Sequence, residues 1–226
     1  MGKESLKKQE ALQQEKIDAT VSSAEAFLNG HKKTIYSIIG AIVVVGLAIL
    51  AYRQFIYNPQ EEEALDQSFK AEYAFSQGDF DVALNGDGNN LGFADIISEY
   101  GGKSGKDVYF YAGICELQAG NYENAISYLK KYKGKDKILK ARAFGCIGDA
   151  YVGLEDYQSA LTFFDKATKA CDNALTPEFL LKAAAVCEEL GQNDKALANY
   201  KLIKDQYPQS LEAYDIDKYI TRIENK

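Results

Sequence analysis

One stretch near the N-terminus differs from the rest of the chain because it contains no charged residue. Residues 34–52, TIYSIIGAIVVVGLAILAY, are apolar on every side of a helix, whereas a buried helix of a soluble domain is normally amphipathic. A helix of this length is roughly 28 Å long, close to the roughly 30 Å thickness of the hydrocarbon core of a bilayer. The sequence therefore predicts a transmembrane helix at 34–52.

A cleaved signal peptide and a buried core helix are the alternatives to a membrane span. The polar segment before the apolar stretch is about thirty residues long, which is longer than the charged start of a signal peptide. The exit from the stretch, Ile49–Arg53, lacks the small-x-small pattern of a cleavage site. We therefore expect the segment to remain in the protein as an anchor.

Lysine and arginine residues near the ends of the apolar stretch predict its orientation. Lys32 and Lys33 precede the stretch, and only Arg53 follows it closely. Because cytosolic flanks carry the excess of positive charge, we expect the N-terminus in the cytosol and the C-terminal domain outside it. Tyrosines near both ends suit the two membrane interfaces. The predicted anchor residues are Lys32, Lys33, Thr34, Tyr36, Tyr52 and Arg53.

Downstream of the apolar stretch, a pattern of small and bulky residues recurs at intervals of 35 and then 36 residues. The recurring residues are Gly113, Tyr122 and Ala125, then Gly148, Tyr157 and Ala160, then Ala196. The glycines predict close approach of two helices, and the alanines fill the matching position on the second helix of each pair. This pattern resembles tetratricopeptide repeats, which are helix pairs with a period of about 34 residues.

The sequence therefore predicts an all-α fold, with a single N-terminal transmembrane helix followed by a solenoid of tetratricopeptide-type helical hairpins. A C-terminal capping helix is expected because a stacked array otherwise exposes its last apolar face. A tail at 1–33, with a short amphipathic helix that begins at Ser22, precedes the span, and a connector covers 53–63. Within the repeat domain, 64–226, the predicted repeats are 64–100, 106–137, 141–172 and 177–208, and the capping helix is 209–226.

Charge and cysteine content narrow the classes of partner and site. The net charge is −7, and the part after residue 52 is acidic, so no nucleic-acid partner is expected. No basic patch with interleaved aromatic residues is predicted there. With His31 as the one histidine and no C-x-x-C pair, no metal site is expected. Cys115, Cys146, Cys171 and Cys187 either stay free as buried thiols or form disulfides, which an exported domain permits.

No combination of residues in the repeat region predicts catalysis, since it holds no histidine that could activate a serine or cysteine. The insertion NGDGNNLG, 85–92, has the alternating Asn85, Asp87 and Asn89 of a calcium loop. The glycine and glutamate that such a loop requires are replaced by Asn90 and Ile96. We therefore expect a glycine-rich turn, no cofactor, no small-molecule substrate and no enzymatic activity.

The resemblance to tetratricopeptide repeats implies a binding groove lined by the first helices of the pairs, where these proteins receive peptides. The residues placed on its wall are Phe110, Ile114, Leu117, Arg142, Asp149, Leu181 and Glu188. The family's carboxylate clamp uses lysines and asparagines at positions that here hold Phe110, Ile114, Cys146, Glu178 and Lys182. A mixed apolar groove is therefore expected, in preference to a clamp for acidic C-terminal tails.

The order of elements resembles a further family. An amphipathic lead (AEAFLNGHKK), one span, a glutamate-rich connector and an exported repeat array are similar to the YfgM family of bacterial inner-membrane proteins. The resemblance implies a single-pass protein with a periplasmic domain, ancillary to the Sec translocon and working with a prolyl-isomerase-type chaperone on emerging chains. The alternative is a structural assembly factor of another envelope complex that binds one fixed partner through the same groove.

Overall fold

The computed structural model describes residues 14, 16, 21, 22, 28, 30–172 and 174–225, and these residues form helices and turns without a strand. The all-α prediction is confirmed. The short amphipathic helix predicted within the tail at 1–33 lies largely outside the described residues. The chain divides into two compact units, Met1–Asn58 and Pro59–Lys226.

The first unit contains helix α1, Lys32–Tyr52, followed by one π-helical turn, Arg53–Tyr57. None of the side chains of α1 is buried in the described structure. By length and composition this helix is long and apolar enough to cross a membrane. The anchor residues from Lys32 to Arg53 therefore belong to one exposed, largely apolar helical segment.

The second unit is made of short helices joined by tight turns. The first three helices are α2, Asn58–Ser76, α3, Phe80–Asn85, and α4, Phe93–Tyr100. The next four are α5, Asp107–Gln118, α6, Tyr122–Lys131, α7, Lys137–Gly153, and α8, Tyr157–Ala170. The last three are α9, Thr176–Glu189, α10, Asn193–Gln206, and α11, Ile216–Glu224.

The turn between the two helices of a pair has the same geometry four times along the unit. One residue of each turn has a left-handed backbone conformation. These residues are Gly78, Gly120, Glu155 and Gly191, with φ of 81°, 78°, 58° and 68° respectively. At each turn the next backbone N–H bonds to the carbonyl five residues earlier, as in the 2.9 Å bond from Asn121 to Glu116. This Schellman-type ending satisfies helix carbonyls and reverses the chain, so the helices return as antiparallel pairs.

Two glycines allow the paired helices to approach closely, as their spacing predicted. A Cβ added at Gly113 would lie 2.5 Å from Cγ of Leu129, and one at Gly148 would lie 2.6 Å from Cε1 of Phe164. Ala125 and Ala160, on the second helices, have no exposed surface. Because no side chain fits at either position, glycine at 113 and 148 is what allows the short distance between the two helices of each pair.

The insertion after α3 forms a glycine-rich turn, in agreement with the sequence. The carboxylate of Asp87 accepts hydrogen bonds from the backbone N–H groups of Asn89 and Asn90, at 2.9 and 2.7 Å. A hydrogen bond from the Asn90 side chain, together with these two backbone bonds, lowers the pKa of Asp87. Its oxygens are therefore engaged in the turn itself.

The capping helix begins later than residue 209, because turns occupy the chain from Pro208 to Asp215 and α11 starts at Ile216. Ile216, Ile220 and Ile223 are buried in the same apolar cluster as Tyr200 of α10. Leu211, in the preceding turn, is 91% exposed. One face of α11 thus covers the end of the array.

Candidate protein-binding surface

A charged cluster joins the first helices of two successive pairs, α7 and α9. On α7, Arg142, Cys146 and Asp149 follow at helical spacing and therefore share one face. The Nζ atom of Lys182, on α9, lies 2.9 Å from Oδ2 of Asp149 and 2.8 Å from Oε1 of Glu178. We call these five residues the first-helix surface.

The first-helix surface holds its charges in a partly dehydrated setting. Burial raises the pKa of the Asp149 carboxyl, and the neighbouring Lys182 ammonium offsets only part of that rise. Burial alone would lower the pKa of Lys182, but Asp149 and Glu178 together raise it. Lys182 is therefore a fixed cation between two carboxylates, and Arg142 is left as the exposed cation of the surface.

Phe110 and Ile114 of α5 lie in the core and not on an accessible wall. Phe110 is 1% exposed, and its ring packs 5.6 Å from that of Tyr132, centroid to centroid. Ile114 is also buried in this cluster. The guanidinium of Arg142 lies 5.8 Å from the centroid of the Phe110 ring, so Phe110 supports Arg142 from beneath.

The remaining predicted wall residues occupy different places. Leu117 and Leu181 are half-buried and pack against separate apolar clusters. Glu188 accepts a hydrogen bond of 2.8 Å from the hydroxyl of Tyr200 and forms an ion pair with Arg222. Glu188 therefore connects α9 to α10 and α11 and has a structural role in attaching the capping helix.

Lys182 and Glu178 complete the surface, although the sequence identifies them only as residues at carboxylate-clamp positions. Lys182 lies 33 residues after Asp149, close to one repeat, and four residues after Glu178. Charged residues of opposite sign at these two spacings are neighbours in a stacked helical array. That spacing is the signal that predicts the cluster.

No disulfide joins the four cysteines, all of which lie among the described residues. Cys115 and Cys187 are buried, and burial together with the charge of Glu116 raises the pKa of Cys115 to about 12. Such thiols act as small apolar groups. Across the described residues, no group of three histidine, cysteine, aspartate or glutamate side chains could hold a metal ion.

The thiol of Cys146 is half-buried, and it is expected to react slowly with alkylating reagents. Burial and then Asp149 raise its pKa to about 11, so roughly one molecule in a thousand carries the thiolate at pH 8. Iodoacetamide labelling, followed by mass spectrometry of the Cys146 peptide, should be about a hundredfold slower than labelling of glutathione. Asp149→Asn should accelerate it and Lys182→Met should slow it; equal rates in all three proteins would contradict the electrostatic assignment.

Comparison with known proteins identifies the repeats. Residues 107–136 and 147–210 each match a family model for the tetratricopeptide repeat. These two segments are tetratricopeptide repeats. Two crystal structures of MamA are similar in fold, each with a TM-score of 0.53. The first is 20% identical in sequence, and the match covers 69% of this chain and 92% of the MamA chain. The second is 19% identical, and the match covers 74% of this chain and 87% of the MamA chain.

No match is found among curated proteins, and the similarity to MamA shows the fold alone. Tetratricopeptide repeats bind protein partners, so this fold is that of a protein-interaction scaffold. The matches support the tetratricopeptide resemblance and do not extend to the YfgM family in particular.

Proposed function

We propose that this protein is a membrane-tethered scaffold that binds proteins at, or emerging from, the Sec translocon on the periplasmic side of a bacterial inner membrane. The observation that carries the proposal is the combination of a tetratricopeptide array with an apolar helix, Lys32–Tyr52, that has no buried side chain in the described structure. An exposed apolar helix of this length needs a nonpolar environment, and a bilayer supplies it.

Tethering gives the first-helix surface its advantage in this function. A binding site held at the membrane meets partners there at high effective concentration, so weak contacts are sufficient. Arg142 is exposed, Cys146 and Asp149 are half-exposed, and half-buried Leu117 and Leu181 add apolar area on the first helices. This mixed surface is suited to transient binding of extended chains of varied sequence and contains no group placed for catalysis.

A photo-crosslinking residue in place of Arg142 tests the partners in intact cells. The expected products are translocon components, a prolyl-isomerase-type chaperone or emerging chains, because Arg142 is exposed on the first-helix surface. The same residue in place of the exposed Leu211, in the turn before α11, is the matched control and should give a different pattern. A single stoichiometric partner unrelated to Sec would instead favour an assembly factor of another envelope complex.

The orientation of the chain is tested separately by a reporter fused after Lys226. Because Lys32 and Lys33 outnumber Arg53, a reporter that is active only outside the cytosol should be active in this fusion. Moving the two lysines to the other flank, by Lys32→Gln, Lys33→Gln and insertion of two lysines after Arg53, should reduce that activity. An inactive reporter on the unaltered chain would place the repeats in the cytosol and reject the proposal.

A further inference from the structure

A strongly basic segment lies within the acidic repeat domain. Residues 130–142 contain seven lysine or arginine residues and one aspartate, whereas the whole chain has a net charge of −7. The segment covers the end of α6, the connection to α7 and the first turns of α7. Tyr132 lies among these cations, so the expectation that no basic patch with interleaved aromatic residues occurs is wrong.

The lysines of this segment surround a cavity with an apolar floor. The cavity has a volume of about 390 Å³, and Lys130, Lys133 and Lys140 contribute to its lining. The apolar lining residues are Leu129, Tyr132, Ala143, Phe144, Ile147 and Phe163. We call this the lysine pocket. Its combination of cations and apolar surface differs from the alternating charges of the first-helix surface.

The lysine pocket and the first-helix surface lie on different sides of α7. Lys140, Phe144 and Ile147 follow at helical spacing on the side of the pocket. Arg142 and Cys146 belong to the other surface. Each lies two residues from Phe144, and two positions on a helix differ by about 200° around its axis, so their side chains point to the opposite side. A ligand in the pocket therefore leaves the first-helix surface accessible.

Aromatic rings hold several of the cations in place. The Nζ atom of Lys166 lies 4.3 Å from the centroid of the Phe163 ring, and that of Lys130 lies 5.7 Å from the same centroid. Lys130 also donates a hydrogen bond of 3.1 Å to the hydroxyl of Tyr151. Cation–π contacts of this kind orient a charge without neutralising it, so the ammonium groups remain available to an anion.

No carboxylate neutralises these lysines within the described part of the chain. Lys182, Lys201, Lys204 and Lys218 all form ion pairs there, whereas the lysines from 130 to 140 form none. The acid within the segment, Asp136, is engaged at the start of α7. Its carboxylate accepts hydrogen bonds from the backbone N–H groups of Ile138 and Leu139, at 2.7 and 2.9 Å.

A buried hydroxyl beside the pocket also lacks a partner. Tyr132 is 7% exposed, and its hydroxyl has no hydrogen-bond partner among the described residues. Gly134 covers this hydroxyl so closely that a Cβ there would lie 2.0 Å from it. Leaving a buried hydroxyl unsatisfied costs roughly 1–3 kcal/mol. An anionic ligand that displaces the Gly134 segment would supply the missing acceptor.

We propose that the lysine pocket binds an acidic protein segment that carries a bulky apolar side chain. The carboxylates of such a segment pair with Lys130, Lys133 and Lys140, and the apolar side chain enters the cavity above Phe163. A protein segment fits better than a lipid surface, because a planar array of headgroups reaches the lysines but does not fill a concave apolar floor. This inference goes beyond the proposed function, since it concerns a second surface. It holds whichever protein binds the first-helix surface.

The test is a selection from a randomised peptide display library on the full-length protein in phosphatidylcholine nanodiscs. The peptides recovered should be enriched in aspartate and glutamate together with phenylalanine or leucine. The variant Lys130→Ala/Lys133→Ala/Lys140→Ala should bind those peptides at least tenfold more weakly, since three charge pairs are lost. Affinity for the unaltered protein should also fall as salt is raised.

The control variant, Lys106→Ala/Lys195→Ala/Lys201→Ala, removes the same charge from three exposed positions outside the pocket and should bind as the unaltered protein does. Phe163→Ala should retain the acidic preference and lose the preference for bulky apolar residues. Equal weakening in both lysine variants, or no enrichment of acidic peptides, would overturn the proposal. Binding of phosphatidylglycerol vesicles through the three lysines, without acidic peptides, would assign the pocket to lipid instead.

Discussion

Replacing Gly148 by valine is expected to destabilise the repeat domain by about 3 kcal/mol. A Cβ at this position would lie 2.6 Å from the ring of Phe164, which has no exposed surface and cannot move into solvent. The helices α7 and α8 must therefore separate, and apolar contacts are lost on both sides of the ring. For a domain of this size, thermal unfolding followed by circular dichroism should show a midpoint lowered by roughly 6–12 °C.

The control for this change is Gly102→Val, because a Cβ at Gly102 meets no described atom within 4 Å. Its effect should stay within about 1 kcal/mol. Phe164→Ala alone should cost about 3–5 kcal/mol through the cavity that it creates. In the double variant, valine at 148 occupies part of that cavity, so the combined cost should be clearly smaller than the sum. An additive double variant would mean that the two side chains do not compete for one space.

The turns show how far local sequence determined the fold. Gly78, Gly120 and Gly191 occupy left-handed positions that glycine adopts without strain, so they are visible in the sequence. Glu155 occupies the same position with φ of 58°, although glutamate gives no such signal. The repeat period, set by Gly113 and Gly148, nevertheless places a turn there. Periodicity therefore predicted what local residue preference could not.

The candidate site was harder to predict than the fold, because each wall residue depends on the exact helix face. Adjacent positions on a helix differ by about 100°, so an error of one residue exchanges the core for the surface. Phe110 and Ile114 illustrate this, since both are buried between helix pairs. The structural role of Glu188 depends on its contacts with Arg222 and Tyr200. Only the packing of α11 and α10 against α9 brings these residues to it.

The lysine pocket escaped prediction for a different reason. Net charge averages over a domain, and the acidic total conceals a local run of cations at 130–142. Two of the three aromatic residues of the pocket, Phe144 and Phe163, come from α7 and α8 and are separated in sequence from Lys130. Only the packing of α6, α7 and α8 against one another brings these two rings close to Lys130. Charge counted in short windows is the sequence signal that would have located the basic half of this site.

Replacing Ile216 by aspartate is expected to detach the capping helix α11 from the end of the array. Ile216 is 2% exposed in the apolar cluster that contains Tyr200, so the substitution places an unpaired carboxylate among apolar side chains. The lost apolar contacts and the burial of charge should together cost about 4 kcal/mol or more. Because each repeat packs mainly on its neighbours, hydrogen exchange should accelerate in α10 and α11 while α5 and α6 remain protected.

Leu211→Asp is the matched control for the detachment of α11, because it makes the same chemical change five residues earlier at a side chain that is 91% exposed. It should alter stability by no more than about 0.5 kcal/mol. In the Ile216 variant the ion pair between Glu188 and Arg222 should also open, since Arg222 lies on the released helix. Equal loss of protection in α5 and α11 would show that the array unfolds as one cooperative unit, in which the cap stabilises every repeat.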